Sequence, residues 1–156
     1  MKSDKLDEID RRILTGLQRD SRQPIADLAA AAGLSPSACH RRIKLLEERG
    51  VIASYGAPLD RAALGYSIEL FVELSLLSQT EDALTRFEQA VLRVPEILEC
   101  HLMSGEADYL LRIVAHDAQD YERIHRTRIA RLPGVARIVS SLALRTVKSW
   151  SGYPVG

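Results

Sequence analysis

Ile25-Ala26-Asp27-Leu28-Ala29-Ala30-Ala31-Ala32-Gly33-Leu34-Ser35-Pro36-Ser37-Ala38-Cys39-His40-Arg41-Arg42-Ile43-Lys44-Leu45-Leu46-Glu47-Glu48-Arg49 is the stretch on which the reading of this chain turns. Apolar residues recur at helical spacing on both sides of Gly33: Ile25, Leu28, Ala29 and Ala32 before it, Cys39, Ile43 and Leu46 after it. Gly33 tolerates the left-handed backbone that ends a helix. Ser35 is a capping residue, and Pro36 fits the first helical position, where no N–H is needed. Gly50 ends the second helix. Leu34 packs between the two helices and fixes their angle. Upstream, Ile9, Ile13, Leu14 and Leu17 form a further stripe, which makes a three-helix unit. Two short helices joined by a glycine turn are the geometry of a helix-turn-helix.

The outer face of the last helix decides what such a unit does. Ser37, His40, Arg41 and Lys44 fall at i, i+3, i+4 and i+7, one stripe of hydrogen-bonding and cationic side chains. A stripe of this kind fits the major groove, where arginine reads guanine and serine or histidine bonds base edges. Ser35 stands at the entry to the helix. Arg42 and Arg49 are placed for phosphates, and Arg22, in Ser21-Arg22-Gln23, for the backbone ahead of the second helix. A solvated surface helix also has a polar face. The glycine turn, the Ser-Pro entry and the basic outer face together point to DNA.

Working outward, Val51-Ile52-Ala53-Ser54-Tyr55-Gly56 reads as a short strand, which makes the head a winged-type helix-turn-helix over residues 1–56. Pro58 and Gly65 punctuate a linker at 57–66. Beyond it the period becomes two: Ile68, Leu70, Val72, Leu74 and Leu76 point one way, Ser67, Glu69, Glu73 and Ser75 the other. A helix is expected over 81–94, strands over 97–104 and 109–115 joined by the Gly105-Glu106-Ala107-Asp108 turn, a helix over 118–131 and a strand over 135–147. Arg93-Val94-Pro95-Glu96-Ile97 and Arg131-Leu132-Pro133-Gly134-Val135 repeat the same helix end, proline and strand start. The order β-α-β-β-α-β implies a ferredoxin-like domain over 67–156, so the class is α+β. Its uncovered sheet face calls for a partner subunit.

Twenty-one basic residues balance twenty-one acidic ones, so net charge neither demands nor excludes nucleic acid. Cys39 and Cys100 make no CxxC or zinc spacing, and no metal or cofactor is expected. The charged opening Met1-Lys2-Ser3-Asp4-Lys5 has no apolar run, and a cytoplasmic protein is expected. Trp150, Tyr153 and Pro154 form an aromatic tail whose place the sequence leaves open.

Leu28–Ser37 and Arg42–Ile52 resemble the helix-turn-helix of the Lrp/AsnC (leucine-responsive regulatory protein) family. Glu99–Leu111 resembles that family's effector-loop region, and Leu132-Pro133-Gly134-Val135 its entry to the last strand. The resemblance runs from Leu6 to about Lys148. It implies a DNA-reading head that is nucleoid-associated when DNA-bound, a linker strand and a regulatory domain. It also implies homodimers, with higher even-numbered homo-oligomers, and a small amino-acid effector. A free amino acid needs donors for its carboxylate and an anion for its ammonium. The Gly105 loop offers backbone N–H groups and Asp108 the anion. The family pattern Gly-Asp-x-Asp-Tyr has Glu106 in place of its first aspartate here. Two family threonines on the last strand correspond to Ile138 and Ser140. The resemblance thus implies an effector set of Gly105, Glu106, Asp108, Ile138 and Ser140. Two alternatives stand beside this reading. One is a haem-pathway (sirohaem) decarboxylase using His101 and Arg112. The other is a regulator whose αβ domain only assembles subunits.

Overall fold

The computed structural model describes residues 5–155; the opening Met1-Lys2-Ser3-Asp4 lies outside them. The chain forms two compact units. One runs up to Pro58 and takes in the tail from Lys148; the other spans Leu59–Val147.

In the first unit, α1 (Glu8–Arg19), α2 (Ile25–Ala32) and α3 (Pro36–Glu48) enclose one core. Each begins and ends where the local chemistry dictates. Asp7 caps α1 through a reciprocal box with Asp10. Gly33 closes α2 at φ 72°. The Ser35 hydroxyl accepts from the Ala38 amide at 3.3 Å, and Pro36 opens α3. Ile13, Leu14, Leu28, Ala29, Ala32, Cys39 and Leu46 are buried together, with Leu34 and Ile43 packed against them. Each large side chain among them contributes about 1.5–3 kcal/mol by leaving water.

Two features of this unit correct the sequence reading. Val51–Gly56 is not a strand: among the described residues it joins no ladder, so the unit has no wing. Ile52 instead packs on the helical core, and the Tyr55 hydroxyl donates to Glu47 at 2.6 Å. An extended segment becomes a strand only where a second one exchanges hydrogen bonds with it. The second correction is the tail, which the sequence reading placed in the 67–156 domain. Residues from Lys148 on join the helical unit, because Val155 packs on its core and Tyr153 hydrogen-bonds Gln18.

The second unit is a four-stranded antiparallel sheet in the order β2-β3-β1-β4. Its strands are β1 (Ile68–Leu76), β2 (Ile97–Leu102), β3 (Tyr109–Ala115) and β4 (Val135–Leu142). Helix α4 (Glu81–Val91) and helix α5 (Ala118–Thr127), the latter followed by a 3-10 turn at Ile129–Arg131, connect them. This is the expected ferredoxin-like βαββαβ arrangement, with helices and last strand shorter than the periodicity suggested. Leu70, Val72, Leu74 and Leu76 of β1 and Leu111 and Ile113 of β3 form a core with Phe87, Val91, Ile124 and Ile129. Both helices therefore cover one sheet face. Pleating sends the alternate residues Glu69, Phe71, Glu73 and Ser75 to the other. Among the described residues no helix is long and apolar enough to cross a membrane.

Candidate functional site

Two sites emerge, one in each unit. On α3, burial of Cys39 and Leu46 and packing of Ile43 turn the opposite face outward. Ser37, His40, Arg41 and Lys44 are all exposed. His40, Arg41 and Lys44 make no ion pair with any described residue, and Ser37 meets only the Ser35 hydroxyl, at 3.2 Å. Arg22 is exposed too, in a turn where its amide donates to Asp20 at 2.9 Å. The stripe therefore presents hydrogen-bonding and cationic side chains along the outer face of α3, from its first turn at Ser37 to Lys44, an arrangement that suits a phosphate-flanked groove.

Arg42 does not belong to that face. Its Nη1 sits 2.7 Å from Asp7 Oδ2 and 2.8 Å from Asp10 Oδ1, and Asp10 is buried. The guanidinium ties α3 to the N-terminus of α1 through Nη1. Asp7 is held below the usual carboxylate range, first by the Asp10 amide, then by Arg42. The sequence carries no local sign of this pair, whose members are 35 and 32 residues apart.

In the second unit, a cavity of about 220 Å³ opens on the sheet face that the helices leave bare. Its floor is Leu110 and Val139, its rim the Gly105-Glu106-Ala107 loop and Met103, and its polar groups are Glu73, Ser75, Glu106 and Arg137. Arg137 Nη1 lies 3.3 Å from Glu106 Oε1, both largely in solvent. The cavity thus sets two carboxylates and one guanidinium around an apolar floor.

Of the five expected effector residues, Gly105 and Glu106 line this cavity and three do not. Asp108 is spent on the fold: Oδ2 accepts from the Leu76 amide and Oδ1 from Gln79 Nε2, each at 2.7 Å. Ile138 packs into the helix-side core, and the Ser140 hydroxyl meets the Tyr121 hydroxyl of α5. Both point to the opposite side of the sheet from the cavity, because neighbours on a strand face opposite ways. Arg137 and Val139, one residue off, are the ones that reach it. The alternation along β1 places Glu73 and Ser75 together on this face, and the register with β1 sets Val139 and Arg137 opposite them.

Beside the cavity, Arg112 joins Glu69 through Nε and Glu99 through Nη1 at 2.8 Å, while His101 Nε2 lies 3.4 Å from Glu99. Arg112 holds the Glu99 carboxyl below its ordinary range. A guanidinium already shared by two carboxylates is not available to an acidic macrocycle, so His101 and Arg112 make no decarboxylase site. Among the described residues no cluster of histidine, cysteine or acid is placed to hold a metal.

Comparison with known proteins matches both units. Residues 6–47 match the AsnC-type helix-turn-helix domain, and residues 69–152 match the Lrp/AsnC ligand binding domain. The chain is similar to the Bkd operon transcriptional regulator of Pseudomonas aeruginosa, 40% identical over 97% of this chain and 99% of that one. It is 39% identical to the leucine-responsive regulatory protein of Escherichia coli K12, over 92% and 87%. Among solved structures, a transcriptional regulator from Neisseria meningitidis in complex with L-Met superposes with a TM-score of 0.92. Its identity is 31%, over 97% of each chain.

Proposed function

The chain belongs to the Lrp/AsnC family of transcriptional regulators, and from that premise we propose that it binds a specific DNA site through α3 and answers to a free amino acid. The observation that carries the DNA reading is the exposed stripe Ser37, His40, Arg41, Lys44, whose cations have no ion-pair partner among the described residues. Ser35 and Arg22 flank it and serve as backbone contacts. Arg41 reads a base edge; Lys44 and Arg22 neutralise phosphates.

The ligand is a zwitterion with an apolar side chain. Arg137 takes its carboxylate, Glu73 or Glu106 its ammonium, and Met103, Leu110 and Val139 its side chain. Donors at the Gly105 loop complete the carboxylate contacts. The similar structure that holds L-methionine supports this class of ligand. Asp108 acts on the same loop by fixing its end to β1.

A second copy of the chain covers the bare sheet face, where Phe71, Leu110 and Val139 lie among the ion pairs. The working form is then a homodimer or a higher even-numbered oligomer. Its heads meet half-sites about 34 Å apart, one helical turn, or a multiple of that. It works in the cytoplasm, on the nucleoid when bound to DNA. Selection of sites from random duplexes, followed by mobility-shift titration with and without L-methionine, tests both halves. One preferred site and an affinity that changes with L-methionine are expected. Binding with no sequence preference overturns the DNA half; a titration unchanged by L-methionine overturns the ligand half.

A further inference from the structure

Nothing in the periodicity marks the last residues of the chain, yet they have a defined seat. Gln18, on the exposed side of α1, pairs with Tyr153 twice: Nε2 donates to the Tyr153 carbonyl at 3.0 Å, and Oε1 accepts from the Tyr153 amide at 2.7 Å. A primary amide offers donor and acceptor side by side, so it grips one residue of backbone as a neighbouring strand would. Arg11, seven residues earlier and so on the same side of α1, donates from Nη1 to the Val155 carbonyl at 2.7 Å. The Val155 side chain packs on the head core. Gly152 stands at φ 101°, a conformation for which side chains are costly, and a Cβ there would run into the Gln18 side-chain amide. Two side chains, one packed residue and one glycine thus read the tail's main chain.

Chain connectivity gives this seat a consequence. The tail continues β4, the strand that carries Arg137 and Val139, and only Ala143–Val147 intervene. The helical unit is therefore joined to the sheet unit by two covalent connections, one at Pro58–Leu59 and one at Val147–Lys148.

We propose that the tail from Lys148 to Val155 is a strap that Gln18 and Arg11 fasten to α1, and that it transmits the state of β4 to the DNA-reading head. The second clause rests on the amino-acid reading given above; the first does not. A ligand that shifts β4 pulls on α1 through the strap, and α1 is tied by Arg42 to α3.

The chain holds a single tryptophan, Trp150, whose ring meets Tyr153 edge-on at 4.8 Å, so its fluorescence reports on the strap alone. Time-resolved anisotropy is measured on the full chain, on Gln18→Ala and on Gly152→Ala, with circular dichroism to check that each is folded. Both variants are expected to free Trp150, seen as a faster and larger local depolarisation. Unchanged anisotropy in both overturns the strap. In the second arm, a chain ending at Lys148 is titrated with L-methionine and with the selected operator. L-methionine binding is expected to stay within about twofold. The ligand-dependent change in operator affinity, roughly 5- to 150-fold for coupled sites, shrinks toward onefold. A truncated chain that keeps the full change overturns transmission through the strap. If the wild type does not respond to L-methionine, the amino-acid reading fails, and the anisotropy arm alone decides the strap.

Discussion

Arg41 and Arg42 are consecutive, and the helix turns about 100° between them. That rotation gives them different work. Arg41 is exposed with no ion-pair partner among the described residues, whereas Arg42 grips Asp7 and the buried Asp10. Arg41→Ala is predicted to weaken specific DNA binding by about 1–3 kcal/mol and to relax preference at one base pair, with unchanged melting. Mobility shifts on variant operators check it. Arg42→Ala is predicted to lower the stability of the head by about 1–3 kcal/mol, because the buried Asp10 carboxyl loses the guanidinium that donates to it. Thermal melting measures that. The Asp7 carboxyl is depressed in the folded chain, so its contribution is present at neutral pH and fades as pH falls through its lowered range. Melting temperature should therefore drop less between neutral and acidic pH in Asp7→Asn than in the wild type. Cys100 gives a residue-scale test of the sheet unit. Burial, then the Glu88 charge, pushes its thiol to about 11. Only roughly a thousandth of it is thiolate at pH 8, and thiolate is the reactive form. Its alkylation in the native protein should be slow, and fast once the chain is unfolded.

At the scale of elements, the head's helices were readable because each carries its own boundary chemistry. Ser35 and Pro36 start α3 and Gly33 stops α2, all within a few residues of the periodic stripe they bound. Ser35→Ala should cost about 1 kcal/mol of head stability through the lost cap, a shift visible in denaturant titration. Elements that depend on distant partners were less readable. Val51–Gly56 has strand-like composition but no neighbouring strand, and composition alone does not supply one. The tail's seat depends on Gln18, 135 residues away. Strand β4 lies between these cases. A strand over 135–147 was legible, but which of its residues face the helices is set by the register with β1, where Val72 stands opposite Ser140 and Glu73 opposite Val139. An assignment shifted by one residue moves every side chain to the other face. The family resemblance puts Ile138 and Ser140 at the ligand, whereas the register places Arg137 and Val139 at the cavity.

For the molecule as a whole, a DNA-reading head and a ligand-holding sheet are useful together only if each site changes the affinity of the other. Coupling of that kind is a free energy and works equally in both directions. The family match and the likeness to a regulator bound to L-Met make the pairing of the two sites the central claim about this chain. The open sheet face, on which the cavity lies, makes assembly part of the same account. Light scattering at micromolar concentration should find a dimer or a larger even-numbered oligomer, and a stable monomer would contradict the covered face. The pairing itself is tested by one thermodynamic cycle. Calorimetry measures L-methionine binding to the full chain alone and to the chain on its selected operator, and fluorescence titration measures operator binding with and without saturating L-methionine. The account predicts that the factor by which operator changes ligand affinity equals the factor by which ligand changes operator affinity, and that both differ from one. A ligand that binds while both factors stay at one would contradict it.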